Sequence, residues 1–385
     1  MKLLPLLALL AAFPPLSTDM YLPAIPSLQT QWQVSLVMVN YTLVCFFLSF
    51  SFALLLYGPL SDRFGRRPPL LAGIALYIVS SLLCASANQV NTLILFRVLQ
   101  GFGAASAAAL SMAISKDCFA DREREKMLAY MGVIVALAPM MAPVLGGLML
   151  KWLTWPWIFI SQGMLGLIAF FGVWRMPEPL QTLRRVPVSK MIGRYILLFR
   201  NRKYIILTVM MALVIWPLFG FIAGSADMYI RRFGLSEQVF SYFFACNAIA
   251  FMSGSYTCAR LIHRVPGIRL MTVGFAGIFT GGMCMLFTGG KSPLGFALPM
   301  AFITFCLGLS RPLGNSLILE QVDTDTGSAS SMLMFIYFMM GAAGMWMISH
   351  PWEDKAFVLG LMAVSTSAAV LISFCFLYGR KGTAE

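Results

Sequence analysis

The chain has 385 residues, 59% of them hydrophobic and only 11% charged, with a mean hydropathy of +0.81; a soluble domain carries roughly 25% charged residues. A spanning helix takes about 20 apolar residues, so this length holds about twelve spans and excludes a separate soluble catalytic domain. The net charge of +13 does not mark a nucleic-acid surface, because Lys and Arg fall in the gaps between apolar runs.

Lys2 and the apolar run up to Ala11 and Ala12 have the outline of a signal peptide. The apolar character continues from Leu3 past Asp19 to Leu28, however, and another membrane segment follows. It is therefore a first span. Apolar runs follow one another at 3–27, 36–57, 69–87, 92–114, 128–150 and 156–174 (spans 1 to 6), then at 204–226, 238–258, 270–288, 293–315, 328–349 and 356–378 (spans 7 to 12). The expected fold is an all-α membrane protein of twelve transmembrane helices in two pseudo-symmetric bundles, 1–175 and 204–385. The connection at 176–203, with Arg184, Arg185, Lys190, Arg194, Arg200, Arg202 and Lys203, is a cytoplasmic linker.

Orientation follows from the excess of Lys and Arg in inner loops. With both termini inside, only Lys151, Arg231, Arg232, Lys291 and Lys355 fall outside, while Arg97 and Arg311 lie within spans. The acidic loop after span 10 (Glu320, Asp323, Asp325) dissents, but acids weigh little in this rule. Trp152, Trp155 and Trp157 sit at the outer interface. Ser17-Thr-Asp19-Met-Tyr21 in span 1 recurs as Ser225-Ala-Asp227-Met-Tyr229 in span 7, an echo that fits a duplicated transporter with its site between the halves.

An ionisable residue within a span costs at least about 2.5 kcal/mol, so each is a functional candidate. At 1.5 Å per residue, Asp19 on span 1 and Asn40 on span 2 both lie roughly 6 Å below the outer edge of a ~30 Å core, and Arg97 on span 4 lies roughly 7 Å below it. Gln100 is one turn below Arg97. One polar site facing a cavity is expected, with Asp19 and Arg97 as partners. Burial disfavours a carboxylate and a neighbouring cation favours it, so moving Arg97 or bringing in substrate changes proton occupancy. Pro14, Pro15, Pro23 and Pro26 interrupt the helix around Asp19, as in broken helices that line cavities. Asp227, beside Arg231 and Arg232, is expected at the outer surface in a solvated ion pair, and Arg311 is expected to snorkel to the inner face.

Four strings carry a family resemblance. Gly58-Pro-Leu-Ser-Asp62-Arg63-Phe-Gly65-Arg66-Arg67-Pro68, after span 2, resembles the loop signature of the major facilitator superfamily. In the family this loop is an inner gate, with Asp62 and Arg66 clamping the halves when the outer side is open; read from the residues alone, Asp62 caps the next helix or meets Arg66. Arg97-Val-Leu-Gln100-Gly101-Phe-Gly103 resembles the proton-transfer motif, and Gly132 through Pro139 and Pro143 to Gly146-Gly147 resembles the motif of drug:proton antiporters. There prolines bend the helix and glycines allow close packing. Ser17-Thr-Asp19-Met-Tyr21-Leu-Pro23 is similar to span 1 of the Bcr/CflA exporters. The resemblance implies the major facilitator fold, proton coupling through Asp19 and Arg97, and drug efflux by a bacterial inner-membrane protein. A second acid found in some relatives is missing, since Ala8 to Pro14 is neutral, and the second-half gate loop has Arg260, His263, Arg264 and Arg269 but no acid. Gly101-x-Gly103-x-x-Ser106 lies inside a span with no preceding strand, so it packs helices.

Twenty-seven methionines and 13% aromatics suit an adaptable cavity wall. Its expected substrate-binding residues are Tyr41, Tyr130, Met131, Trp216, Phe219, Asn247 and Tyr337, with Asp19, Asn40, Arg97 and Gln100. The eight scattered cysteines, with no CxxC or Cys/His cluster, predict neither metal nor cofactor. The two histidines, His263 and His350, both near loops, form no catalytic constellation, so an enzyme is not expected. The expected function is proton-coupled export of small amphipathic compounds by a monomer that binds its substrate, protons and the lipid bilayer and no nucleic acid. A carrier for one metabolite, such as a nucleoside, amino acid or siderophore, working as an importer, is the alternative.

Overall fold

The computed structural model describes residues 3–119, 121–180, 188–322 and 326–378. Arg184 and Arg185 of the linker, Asp323 and Asp325 of the acidic loop, and Arg380 and Lys381 lie outside the described residues. Among the described residues every regular element is a helix. Ten helices are long and apolar enough to cross a bilayer, and the broken pair Leu4–Ala11 and Phe13–Trp32 forms an eleventh crossing. Glu237–Leu261, with Ser241, Asn247, Ser253, Ser255 and Thr257 among its apolar residues, is less apolar and is span 8. The helices occupy the twelve apolar runs in order.

Local chemistry sets their ends. Ser35, Ser236 and Ser292 each accept a hydrogen bond from the backbone N–H three residues on, starting span 2 (Leu36–Phe64), span 8 and span 10 (Pro293–Leu319). Each hydroxyl satisfies one of the donors a helix start leaves open. Gly65, at φ 92°, lets the chain turn sharply from span 2 into span 3 (Arg67–Ala85). A side chain there is strained and would also meet the Glu178 carboxylate.

Two spans are not simple rods. Prolines 14, 15, 23 and 26 remove backbone donors from span 1, which bends by 42° and passes through a short 3-10 turn at Leu22–Ala24. Span 7 breaks at Ile215, resumes as Trp216–Ala226 and ends in a π-helical turn, Asp227–Arg232. The repeated Ser-x-Asp-Met-Tyr string thus sits where α-helix gives way in both halves, a place where π turns frequently mark function.

Span 2 packs on span 4 (Val90–Cys118), and span 3 on spans 4 and 6 (Pro156–Trp174). Span 8 packs on span 10 in the same manner, and span 9 (Gly267–Thr288) on spans 10 and 12 (Lys355–Tyr378). Two long seams join these groups: span 2 on span 11 (Thr326–Ser349), and span 5 (Asp121–Trp152) on span 8. The linker helix Val188–Arg200 adds a bond, Tyr195 donating from its hydroxyl to the Leu55 carbonyl at 3.0 Å.

Candidate functional site

Asp19 closes the helical segment Phe13–Asp19 and is 5% exposed. Its carboxyl accepts from the hydroxyl of neighbouring Thr18 at 2.9 Å. Arg97 is wholly buried, but it forms no ion pair with Asp19. This corrects the expected pairing. The guanidinium instead donates to the Ser17 carbonyl (2.9 Å), the Gln100 side-chain oxygen (2.6 Å) and the Thr42 carbonyl (3.3 Å). It lies against the rings of Phe46 (4.4 Å), Tyr21 (5.3 Å) and Phe159 (5.7 Å). Each desolvated cation–ring contact contributes about 0.5–2 kcal/mol. Together with the hydrogen bonds these offset the cost of a buried charge that has no carboxylate beside it. Nη2 of Arg97 remains buried and unpartnered.

The network continues into residues that a search for charged groups does not find. Gln100 donates to the Ser81 hydroxyl (2.8 Å) and to the side-chain oxygen of Gln162 (2.9 Å), which itself donates to the Leu16 carbonyl (3.1 Å). Ser17 and Tyr77 share a hydroxyl hydrogen bond of 2.7 Å. Spans 1, 2, 3, 4 and 6 therefore meet at one hydrogen-bonded polar knot immediately before Asp19, in which Nη2 of Arg97 is the donor left over. A neutral amide within the apolar span 6 was the available signal for Gln162.

Asn40 shares the expected depth but not the knot. Its amide donates across the molecule to the Ala223 carbonyl (3.1 Å) and the Ser349 hydroxyl (2.9 Å). Further cross-links lie at the same end of the bundle: Arg231 to Gln29 (3.3 Å), Gln238 to the Gly147 carbonyl (3.2 Å) and Ser241 to the Pro143 carbonyl (2.8 Å). Asn40 is thus a clasp between the halves rather than a neighbour of Asp19. A cavity of about 330 Å³ lies outside the clasp, lined by Gln29, Asp227, Arg231, Ser349 and Lys355 among others. Asp227 meets Arg231, as expected, but its shorter bond is to the buried Lys355 ammonium at 2.5 Å. Arg232 turns to Asp354. Asp227 is therefore in a largely enclosed ion pair rather than a solvated one.

Two glycines of the span 5 motif lie against neighbouring spans. A Cβ on Gly146 would stand 2.0 Å from the carbonyl oxygen of Met20, the residue after Asp19, and one on Gly147 would stand 2.5 Å from the Ser241 hydroxyl. Pro139 is half-buried, and Gly132 faces open space. Gly101 and Gly103 likewise bring span 4 against the backbones of spans 2 and 3, at Phe46 and Tyr77.

At the inner end, Arg66 donates to Asp62, to Asp117 on span 4 (both 2.7 Å) and to Ser61 (2.6 Å). Burial works against its charge, but the hydrogen bonds and charges of Asp117 and Asp62 outweigh it and hold the guanidinium above its ordinary range. The cap on span 3 comes from Glu178, which accepts from the N–H groups of Arg66 (2.7 Å) and Arg67 (3.0 Å). Arg67 reaches the Trp174 carbonyl and Arg63 covers the Phe64 ring. The described bonds of the gate loop run to spans 2, 4 and 6 and to Glu178 of the connection that follows span 6, and Gly58 lies near Ser331 of the second half. Bonds thus cross between the halves at the Asn40 end, while the described bonds of Asp62 and Arg66 do not cross between them.

The expected wall residues divide. Phe219 is packed with Phe47 and Phe338 in an aromatic seam between the halves. Met131 and Tyr337 are buried, Tyr41 is half-buried and Tyr130 is 53% exposed. Asn247 and Trp216 each hold a buried side-chain polar atom with no partner. Arg311, expected to snorkel to the inner face, is instead half-buried, with its guanidinium 5.9 Å from the Phe251 ring and 5.6 Å from the Tyr337 ring.

The model of the Major Facilitator Superfamily matches residues 7–345. The chain belongs to this superfamily. It is 32% identical over 349 residues to the uncharacterized MFS-type transporter YdgK of Bacillus subtilis (strain 168), covering 88% of this chain and 86% of that one. It is 28% identical over 386 residues to the bicyclomycin resistance protein homolog of Haemophilus influenzae, covering 97% and 96%. The crystal structure of a D-xylose-proton symporter superposes with a TM-score of 0.79 over 96% of each chain at 14% identity, a likeness of fold. The twelve-helix facilitator fold expected from the sequence is the one observed.

Proposed function

We propose that the chain is a proton-coupled secondary transporter that exports small amphipathic compounds, drugs among them, from bacterial cytoplasm across the inner membrane. The observation that carries this reading is a carboxyl, Asp19, buried at a helix break with no cation bonded to it, in a chain related along nearly its whole length to a bicyclomycin resistance protein homolog. An isolated charge in apolar surroundings costs several kcal/mol, and a carboxyl escapes that cost by taking a proton. Asp19 is therefore suited to carry the exchanged proton.

The two bundles, 1–175 and 204–385, rock about the seams of spans 2 and 11 and spans 5 and 8. With the outer clasp shut, Asp19 loses its proton toward the cytoplasm and substrate enters. When the clasp opens, protonation from outside displaces the substrate. Arg97 anchors span 1 through the Ser17 carbonyl, and its unpartnered Nη2 stands ready for the Asp19 carboxylate or a substrate acceptor when span 1 shifts. Asp62 and Arg66 form the inner gate, closing as the inner helix ends meet. Both termini are cytoplasmic, and one copy contains the whole site.

Substrate-dependent proton release from proteoliposomes, with bicyclomycin as the first probe, tests the assignment. Wild type releases protons on substrate addition and Asp19→Asn does not. Accumulation of substrate against its gradient by Asp19→Asn overturns the role of Asp19.

A further inference from the structure

Arg311 is a second intramembrane arginine, and nothing in the coupling scheme uses it. Among the described residues it takes no hydrogen bond and no carboxylate, only the two ring faces of Phe251 and Tyr337. Four of the described acids at this end are engaged elsewhere: Asp62 and Asp117 by Arg66, Glu178 by backbone N–H groups and Glu320 by Ser316. An arginine retained in a span without an acid is expensive, and such residues mark substrate pathways.

Its position says which pathway. Phe251 is on span 8 and Tyr337 on span 11, the helices of the second half that form the two long seams with the first. A span 10 side chain lying between them is turned toward the junction of the halves, not toward lipid. Along their helices, Arg97 is seven residues from the outer start of span 4 and Arg311 eighteen from that of span 10. At 1.5 Å per residue the two are separated in depth by roughly 16 Å, with Arg311 nearer the cytoplasm. Beside it the Tyr337 hydroxyl donates to Asn315 (3.0 Å), which fixes the ring that the guanidinium faces.

We propose that Arg311, with the faces of Phe251 and Tyr337, is a loading subsite for the electron-rich end of an aromatic substrate: a carboxylate, nitro or other anionic or strongly accepting group. The fork of guanidinium donors binds such a group in two hydrogen bonds, and the flanking rings receive the planar body attached to it. A cationic substrate meets repulsion here. The proposal rests on the transporter reading for the direction from which the ligand arrives, and it deepens that reading by naming the chemical class.

The test is fluorescence polarisation with the full-length purified protein in detergent, using two xanthene dyes of similar shape, anionic fluorescein and cationic pyronin Y. Wild type binds fluorescein more tightly. A charge-assisted hydrogen bond is worth about tenfold or more in affinity, so Arg311→Gln weakens fluorescein binding by about tenfold and leaves pyronin Y within about twofold, while Arg311→Lys recovers part of the loss. Retained pyronin Y binding shows that the variant is folded. Equal losses for both dyes, an unchanged fluorescein affinity in Arg311→Gln, or a wild type that does not prefer fluorescein overturns the proposal. Absence of coupled proton release from wild type, with the dye preference intact, refutes the exporter reading and leaves this one standing.

Discussion

Gly146→Ala places a methyl group where span 5 lies against the backbone of span 1 beside Asp19. The added Cβ would stand 2.0 Å from the Met20 carbonyl oxygen, whereas carbon–oxygen contacts settle near 3.3 Å. The backbones must therefore part by roughly 1.3 Å, because a carbonyl has no rotamer by which to retreat. Overpacking of this kind costs about 1–3 kcal/mol, and displacement of a reacting group by about 1 Å costs on the order of 10²-fold in rate. The expected outcome is a folded protein whose substrate-dependent proton release falls by one to two orders of magnitude, accompanied by a lower unfolding temperature. Two glycines of the same motif calibrate the result. Gly132→Ala meets nothing within 4 Å and should match wild type. Gly147→Ala crowds the Ser241 hydroxyl, which can rotate away at the loss of its bond to the Pro143 carbonyl, about 0.5–1.5 kcal/mol, and its Cβ stands 3.0 Å from the Glu237 carbonyl oxygen, which must give by a few tenths of an ångström. Proton release in proteoliposomes and thermal unfolding in detergent should rank them Gly132, Gly147, Gly146 in rising damage. Full coupled transport by Gly146→Ala, or equal damage from Gly132→Ala, would refute the reasoning.

Other perturbations test the remaining contacts. Asn40→Ala removes two bonds across the outer clasp, about 1–3 kcal/mol together, and should shift the population toward the outward-open state, raising the thiol-labelling rate of a cysteine placed at Val37. Unchanged labelling would mean the clasp carries no energy. Gln162→Leu leaves the Gln100 amide and the Leu16 carbonyl each short of a partner and should destabilise the purified protein by about 1–3 kcal/mol, read as a lowered unfolding temperature. Glu178→Ala uncaps span 3 at Arg66 and Arg67, with an expected loss of about 1 kcal/mol in the same measurement.

How much of this was legible in the sequence depends on which coordinate a residue pattern encodes. Apolar run lengths encode position along the membrane normal, so the twelve spans, their order and the burial of Asp19 and Arg97 could be read directly. Rotation about each helix axis is not encoded in depth. Asn40, Asp19 and Arg97 lie at one level by counting residues, yet Asn40 faces Ser349 and Ala223 while Arg97 faces Gln100 and the Ser17 carbonyl. The proline-broken backbone of span 1 adds to the difficulty, since its 42° bend invalidates a straight-helix count beyond Pro14. Glu178 and Lys355 illustrate another limit: each meets its partner across more than a hundred residues of chain, and charge pattern alone does not choose between partners that far apart.

The missing Asp19–Arg97 bond bears on mechanism as well as on prediction. A permanent ion pair would fix the proton occupancy of the carboxyl, because the cation would hold it ionised in every state. Here Arg97 is fastened to the span 1 backbone two residues before Asp19, with Nη2 left over, so its bond to span 1 does not commit it to the carboxyl. Span 1 is irregular around Asp19: it has a 3-10 turn at Leu22–Ala24, prolines on both sides and a neighbour, Gly146, that has no side chain. A coupling residue must change its electrostatic surroundings between states, and a carboxyl at a helix break beside a tethered cation with a spare donor satisfies that requirement where a closed salt bridge would not.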